Sequence, residues 1–479
     1  MENSGGPLSA APASVIFAGL CCSIYLNGAG LPLYLSLFVP LLLVAAWICG
    51  GTPFICGGWR PAFAAVLFLT FLFSAVLLLR MNCSRSLPAT LTADGKVVLS
   101  REWGRARALL IDTDYGAFTA YRFGVETPPE GSRVFLRGAL FGFRTASAAK
   151  GGFDERLFWR GKGAVKRIEL FELKETEAPS GIYRWRHLLT ERIKNSLPQN
   201  CAAYMLALTV GVRDKELTAL HRSAGTVHLL AVSGFHVGII VSFFSLFFRG
   251  GKLKLLPLSL LMWFYIVLAG LPPGGIRAAL MVQIYLLGLW AGKSSSSFNS
   301  VSTAGIILLL FNPWTFYDVG WRLSMLAALF ITAFAKVCKP SLSSALYGSL
   351  MVWFVTAPLL AAVFGEVPLA GLLMNAAAIP LFALLFPLLV LFSLPALLGL
   401  PWGYQMAAIM EYFLDAWNVF SALVTSCVPW SVAYTVPLLL AALAVCGVAF
   451  AAASAVSVRR VPFAAAGFVF CSLFLLEMM

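Results

Sequence analysis

Apolar runs of roughly 17 to 25 residues recur along most of the chain, each long enough to cross a hydrocarbon core of about 30 Å. Three open the sequence, at about residues 13–26, 31–48 and 61–79, separated by Asn27-Gly28 and by a turn-rich stretch from Gly50 to Arg60. The first is short and is expected to be tilted or interfacial. Ten more follow, at about 226–248, 253–270, 276–292, 299–312, 319–337, 342–364, 367–398, 404–428, 433–456 and 461–477. Several are interrupted. Pro272-Pro273-Gly274-Gly275 precedes Arg277, Asn312-Pro313 precedes Asp318, and Pro380 and Pro387 are expected to break the long run after Asn375. Broken helices at membrane depth are tolerated where they are buried in protein or line a cavity, so these interruptions point to a path or a site.

Between the two apolar regions the period changes to two. Candidate strands are Lys96–Leu99, Arg107–Ile111, Phe118–Phe123, Ser132–Leu140 and Val165–Leu173, with Pro128-Pro129-Glu130-Gly131 as a turn before the fourth. Five short strands predict a small barrel. In the fourth, Arg133, Phe135 and Arg137 share one face and Val134 and Leu136 the other. That basic and aromatic face suits a nucleic-acid strand, with arginine on phosphate and phenylalanine under a base; an ordinary solvated strand face has the same pattern. Asp154 followed by 155–160 predicts a capped helical turn. Ile182, Trp185, Leu189, Ile193 and Leu197 then give an amphipathic helix for the membrane interface, with Arg184, Arg186, Arg192 and Lys194 opposite. Arg213–Ser223 predicts a second polar helix.

Composition agrees with the pattern. The chain has 479 residues, 60% hydrophobic and only 12% charged, against about 25% charged in soluble domains. Of its 35 Lys and Arg, 21 lie between residues 80 and 200 with 13 of the 21 Asp and Glu, an excess of eight positive charges. Such a block suits phosphate or anionic lipid, or simply sets topology. If the first three runs all span, the block lies across the membrane from the N-terminus, whose first residues lack the basic segment of a cleaved leader. Most of the ten cysteines sit in apolar runs and read as packing; Cys83 and Cys201 flank the polar block and are the one conceivable bridge.

The stretch Thr226–Ile240 stands out because it carries two of the four histidines in an apolar setting. On a continuous helix His228 and His236 lie about 80° apart and Ser233 about 60° from His236. Gly234 and Gly238 form a small-xxx-small pair that lets a helix or a substrate approach the backbone, and Thr226 is a candidate N-cap. Two core histidines in a tight helix crossing would give the same spacing. No metal motif is present, and Ser233 with His236 has no orienting acid in the sequence, so no metal, cofactor or catalytic group is expected. Arg277 in an apolar helix needs a partner. Asp318 and Arg322 are spaced to pair along one helix, and Glu366, Glu411 and Asp415 are further candidates.

Taken in order, these landmarks resemble the ComEC family of DNA-uptake channels. The matching stretches are His228-Leu-Leu-Ala-Val-Ser-Gly-Phe-His-Val-Gly238, Ala269-Gly270 through Ile276-Arg277-Ala278-Ala279, Asn312-Pro313 with Asp318-Val-Gly-Trp-Arg-Leu-Ser324, and Gly371-Leu-Leu-Met-Asn375 with Pro380; Gly151-Gly152-Phe153-Asp154 resembles a segment of the family's OB-like domain. The family commonly has Gln where this chain has Arg322, and many members carry a metallo-β-lactamase-like domain whose His/Asp cluster these 479 residues lack. The resemblance implies a channel for single-stranded DNA in the bacterial cytoplasmic membrane during natural transformation. It is expected to be a polytopic α-helical membrane protein of about 10–13 membrane helices, several broken, with an inserted small OB-like β-barrel. The expected divisions are 1–80, membrane helices; 81–180, the barrel, on the extracytoplasmic side; 181–225, interfacial helices; and 226–479, the channel. Expected partners are single-stranded DNA, membrane lipids, a DNA receptor, a separate nuclease, a cytoplasmic helicase or translocase, and a second copy of the chain. His228, Ser233, Gly234, His236, Gly238, Arg277, Asp318, Arg322 and Asn375 are the candidates for the path or for helix packing, and Arg133, Phe135 and Arg137 for DNA on the barrel. A membrane-embedded enzyme and a small-molecule or ion transporter using His228, Ser233 and His236 remain the alternatives.

Overall fold

The computed structural model describes residues 12–49, 60–83, 87–124, 127–144, 154–248, 254–292, 297–338 and 341–455. Residues 1–6, 151–153 of the Gly-Gly-Phe-Asp segment, the expected run 461–477 and Cys471 lie outside these. The chain divides into two compact units, one of residues 1–80, 193–311 and 319–479, the other of 81–192 and 312–318.

Helices α1 (Pro12–Gly28), α2 (Leu33–Cys49) and α3 (Arg60–Asn82) come first, at the three opening apolar runs. The barrel follows, with β1 (Thr90–Trp103), β2 (Ala106–Thr113), β3 (Gly116–Phe123), β4 (Arg133–Phe141), a short helix α4 (Glu155–Gly161) and β5 (Ala164–Glu177). The strands close in the order β1-β2-β3-β5-β4, with β3 and β5 parallel and the other pairs antiparallel. Alternation along β4 sends Val134 and Leu136 into the interior with Val97, Leu109, Ile111 and Phe118. In β2 both faces are buried, because α4 covers the outer one and lays Trp159 over Ala108 and Leu110. Trp159 Nε1 donates to the Tyr121 hydroxyl at 2.7 Å, which donates to Glu155 Oε1 at 2.8 Å. Burial, and then the bond to Glu155, push the Tyr121 phenol well above its ordinary pKa, so it stays protonated. Asp154 caps α4 by accepting from the Leu157 N–H at 2.9 Å.

The far end of α4 is closed by residues 312–318. Asn312 Nδ2 donates to the carbonyls of Arg160 and Gly161 at 2.9 and 3.1 Å, two of the orphan acceptors that every helix end leaves. The Arg160 guanidinium lies 4.4 Å over the Trp314 ring. Asp318 ends the 3-10 turn Pro313–Tyr317 in an extended conformation, before the first residue of the next helix, and meets Lys162 Nζ at 3.2 Å. Its backbone leaves the turn before the next helix starts, so its carboxylate is presented to α4.

The remaining helices are α5 (Ile182–Ser196), α6 (Gln199–Met205), α7 (Lys215–Ser223), α8 (Gly234–Ser245), α9 (Leu255–Leu268), α10 (Pro273–Trp290), α11 (Ser297–Phe311), α12 (Val319–Val337), α13 (Leu342–Phe364), α14 (Ala370–Leu397), α15 (Gly403–Cys427) and α16 (Val436–Ala455). A two-stranded ribbon, β6 (Glu366–Pro368) with β7 (Ser431–Ala433), joins the loop before α14 to the loop after α15. Among the described residues four helices are fit by length and composition to cross a membrane, within α3, α13, α14 and α15, and seven shorter helices are apolar. Phe68, Leu260, Leu391, Phe413 and Leu440 are all exposed, a surface that water would penalise and lipid does not. This is a helical membrane protein with a small closed barrel inserted after its third helix.

The long run after Asn375 is not broken. Helix α14 continues through Pro380, Pro387 and Pro395. Each proline removes a backbone donor and crowds the preceding turn, but a membrane supplies no water to take up freed groups, and such residues are tolerated in membrane helices. Spacings of seven and eight keep the three rings within about 80° of arc. Cys83 and Cys201 are both free thiols, and Cys201 Sγ donates to the Ala407 carbonyl at 3.3 Å.

Candidate functional site

The stretch 226–240 is not one helix. Val227–Leu230 form a 3-10 turn, Ala231 to Ser233 run extended, and α8 begins at Gly234. Thr226 caps neither piece with its side chain. Ser233 is the N-cap, and His236 at the third helical position reaches back, its Nδ1 accepting from the Ser233 N–H at 3.3 Å with the Ser233 hydroxyl 3.1 Å away. This is the capping-box geometry with imidazole in place of the usual carboxylate. Because Nδ1 accepts, the ring proton sits on Nε2, which is buried with no hydrogen-bond partner among the described residues. Phe386 on α14 meets the imidazole edge-on at 5.1 Å. A Ser–His pair whose second nitrogen meets no carboxylate lacks the orienting group of a nucleophilic triad.

The break changes which glycines are tight. A Cβ on Gly234 would meet Ala278 Cβ at an ordinary 3.5 Å, and one on Gly238 would meet nothing within 4 Å. The close approach expected at these two occurs at Gly225, which has φ of +69° and whose Cβ would lie 2.6 Å from Gly371 Cα. Gly274 and Gly275, at the start of α10, seat the extended segment: added Cβ atoms there would lie 3.1 Å from the Val232 carbonyl and 3.3 Å from Val232 Cγ1. One turn on, buried Arg277 donates from Nη2 to the Gly320 carbonyl at 2.8 Å, tying α10 to the first turn of α12. Arg322 is buried on α12. Asn375 is half-buried on α14, and its Oδ1 has no partner among the described residues. His228 and Gly234 are exposed, while Ser233 and Gly238 are half-buried. The candidates thus separate into a buried set, His236, Arg277 and Arg322, and a more accessible set, His228, Ser233, Gly234, Gly238 and Asn375.

A second polar constellation lies behind the stretch, and of its members the sequence singled out only Thr226, Glu411 and Asp415. The Thr226 hydroxyl is 2.8 Å from His221 Nδ1, His221 Nε2 is 2.7 Å from the Tyr204 hydroxyl, and that hydroxyl donates to Asn418 Oδ1 at 2.8 Å. Since Tyr204 donates to Asn418, it accepts from His221 Nε2–H, which leaves Nδ1 to accept from Thr226. The chain continues from Asn418 Nδ2 to Asn200 Oδ1 at 3.3 Å and from Asn200 Nδ2 to Asp415 Oδ1 at 2.5 Å. Glu411 accepts from the N–H groups of Asn200 and Cys201, at 2.8 and 2.7 Å, where the α6 dipole favours a carboxylate. Burial, opposed by the Thr226 bond, lowers the His221 pKa from 6.5 to about 4, so the ring is neutral. The available signal was the spacing of Glu411, Asp415 and Asn418 at i, i+4 and i+7 in an apolar helix.

On the barrel, Arg133 and Arg137 are exposed and Phe135 is half-buried, all on the outer face. Each arginine stands opposite a glutamate of β5: Arg133 opposite Glu177, paired at 3.5 Å, and Arg137 opposite Glu172, which pairs with Lys174 at 2.6 Å. Asp94 of β1 faces Phe135 from the other side.

Residues 208–460 match the family model described as Competence protein. The chain belongs to this competence family. The matched span begins in the turn after α6 and takes in the broken segment, Arg277, Arg322 and Asn375. Among curated proteins the chain is similar to ComE operon protein 3 of Bacillus subtilis (strain 168), 32% identical over 197 residues, covering 39% of this chain and 25% of that protein. It is also similar to an uncharacterized protein of Aquifex aeolicus (strain VF5), 29% identical over 245 residues, covering 48% of this chain and 59% of that one. The chain therefore aligns with about a quarter of the first relative's length and under two thirds of the second's. No solved structure matches it.

Proposed function

We propose that this competence-family protein lines the passage of a single DNA strand through the cytoplasmic membrane during DNA uptake. The observation that carries this is the extended break at Ala231 to Ser233 inside an apolar segment, because irregular backbone at membrane depth persists where it lines a cavity or is held by protein. His236, Arg277 and Arg322 hold the break. His228, Ser233, Gly234 and Gly238 form the accessible wall, and Asn375 offers an amide to the strand. No bond is made or broken in this passage. The barrel receives the strand on the extracytoplasmic side. A DNA receptor and a separate nuclease supply the strand, and a cytoplasmic helicase or translocase draws it in. Whether one chain or a pair encloses the strand is measured by the mass of the detergent-solubilised particle.

His228→Ala tests the wall and Arg277→Ala the support. Each is expected to lower transformation by about tenfold or more, equivalent to about 1.4 kcal/mol in the barrier to passage, with the protein still present in the membrane fraction. Normal transformation in both variants would sink the proposal.

A further inference from the structure

We infer that the barrel's nucleic-acid contact is the tip formed by the β1–β2 turn and the end of β3, and not the Arg133 face of β4. This rests on the proposal that the protein handles a DNA strand, and deepens it by naming the surface. Three register rows cross the tip: Arg101 opposite Ala108, itself opposite Tyr121; Glu102 opposite Arg107, itself opposite Arg122; and Trp103 opposite Ala106, itself opposite Phe123. Arg105 sits in the turn between them. Arg101, Arg105 and Arg107 are exposed and Arg122 is half-buried. Among the described residues these four arginines face a single carboxylate in those rows, Glu102, and none of the four takes part in an ion pair there.

Arg107 and Arg122 lie directly opposite one another on neighbouring strands, an arrangement of like charges that costs stability unless an anion lies between them. Arg122 Nε is buried with no hydrogen-bond partner among the described residues. Two register rows from Arg101, and so on the same face of the strands, Phe123 is 68% exposed. Positive charge that tracks a backbone, next to an aromatic face that accepts any base, is the physical requirement for binding single strands without sequence preference. The β4 face lacks the first part, because Glu172, Glu177 and Asp94 offset its arginines. A polyanion gains more at the tip.

The test uses the full-length protein in nanodiscs of zwitterionic lipid and a fluorescent oligothymidylate, titrated at several salt concentrations. Arg105→Glu with Arg107→Glu is expected to weaken binding by about tenfold or more and to flatten the salt dependence by about two phosphate contacts. Arg133→Glu with Arg137→Glu is expected to stay close to the parent. Arg105→Lys with Arg107→Lys is expected to retain most of the affinity and controls for misfolding. Unchanged binding in the tip variant, or loss of binding in the Lys pair as severe as in the Glu pair, overturns the inference while leaving the proposed function standing. A parent protein that binds no oligothymidylate at low salt overturns both. Phosphatidylglycerol liposomes give the remaining arm. If the Glu pair loses the liposomes but keeps the strand, the tip is a membrane contact and the inference fails.

Discussion

Tyr204 illustrates what single residues contribute here. Its hydroxyl meets His221 and donates to Asn418, 214 positions further along the chain, a contact no local pattern announces. Tyr204→Phe leaves a buried imidazole N–H and an amide oxygen without a partner, which costs about 1–3 kcal/mol per orphaned group. The detergent-solubilised variant is expected to melt several degrees below the parent, and an unchanged melting temperature would contradict the hydrogen-bond chain. His221 gives the network a pH dependence whose sign is fixed. With its folded pKa lowered from 6.5 to about 4, the unfolded chain binds the extra proton first as the solution is acidified. The stabilisation is therefore fully present above about pH 6.5 and is lost as pH falls toward 4, up to about 3 kcal/mol. His221→Gln is expected to flatten the stability profile between those values. A profile as steep as the parent's would place the acid sensitivity elsewhere. In the sequence His221 read as one polar residue near the end of a polar helix; only burial by distant helices makes it an interior group.

At the scale of elements, the five strands and most helices were legible because period two and long apolar runs are properties of the local sequence. Helices α12 and α13 occupy the residues their apolar runs predicted. Two elements were misread for opposite reasons. The stretch 226–240 looks uniformly helical by hydropathy, yet Ser233 caps a new helix with the help of His236, and hydropathy does not register a cap. Helix α14 looks broken by its prolines, yet it continues through all three, since a membrane offers freed backbone groups no water to turn to. Gly225 is the hinge of the first case. Gly225→Ala forces a methyl against the Gly371 backbone at a positive φ and is expected to cost more than the roughly 1 kcal/mol of an ordinary helix glycine change. Gly234→Ala, whose Cβ meets Ala278 at van der Waals distance, should be close to neutral for stability. Melting curves of the two variants in the same detergent check this, and equal losses would contradict the packing described.

For the whole molecule, composition alone was enough to announce a membrane protein with one polar insertion, since an apolar surface this large is stable only against lipid. The assignment of residues 312–318 to the barrel unit was not legible, because it depends on Asn312 and Asp318 meeting α4 from 150 positions away or more. The functional claim rests on the accessible side of the broken segment being the wall of a DNA path. It is tested most directly by placing a photo-crosslinking amino acid at position 233 in transforming cells supplied with labelled DNA. Leu260, an exposed residue of α9 with the character of a lipid-facing side chain, serves as the control position. The account predicts that position 233 captures the incoming single strand while position 260 captures none. Capture at 260 equal to that at 233, or no capture at 233 in cells that take up DNA normally, would contradict it.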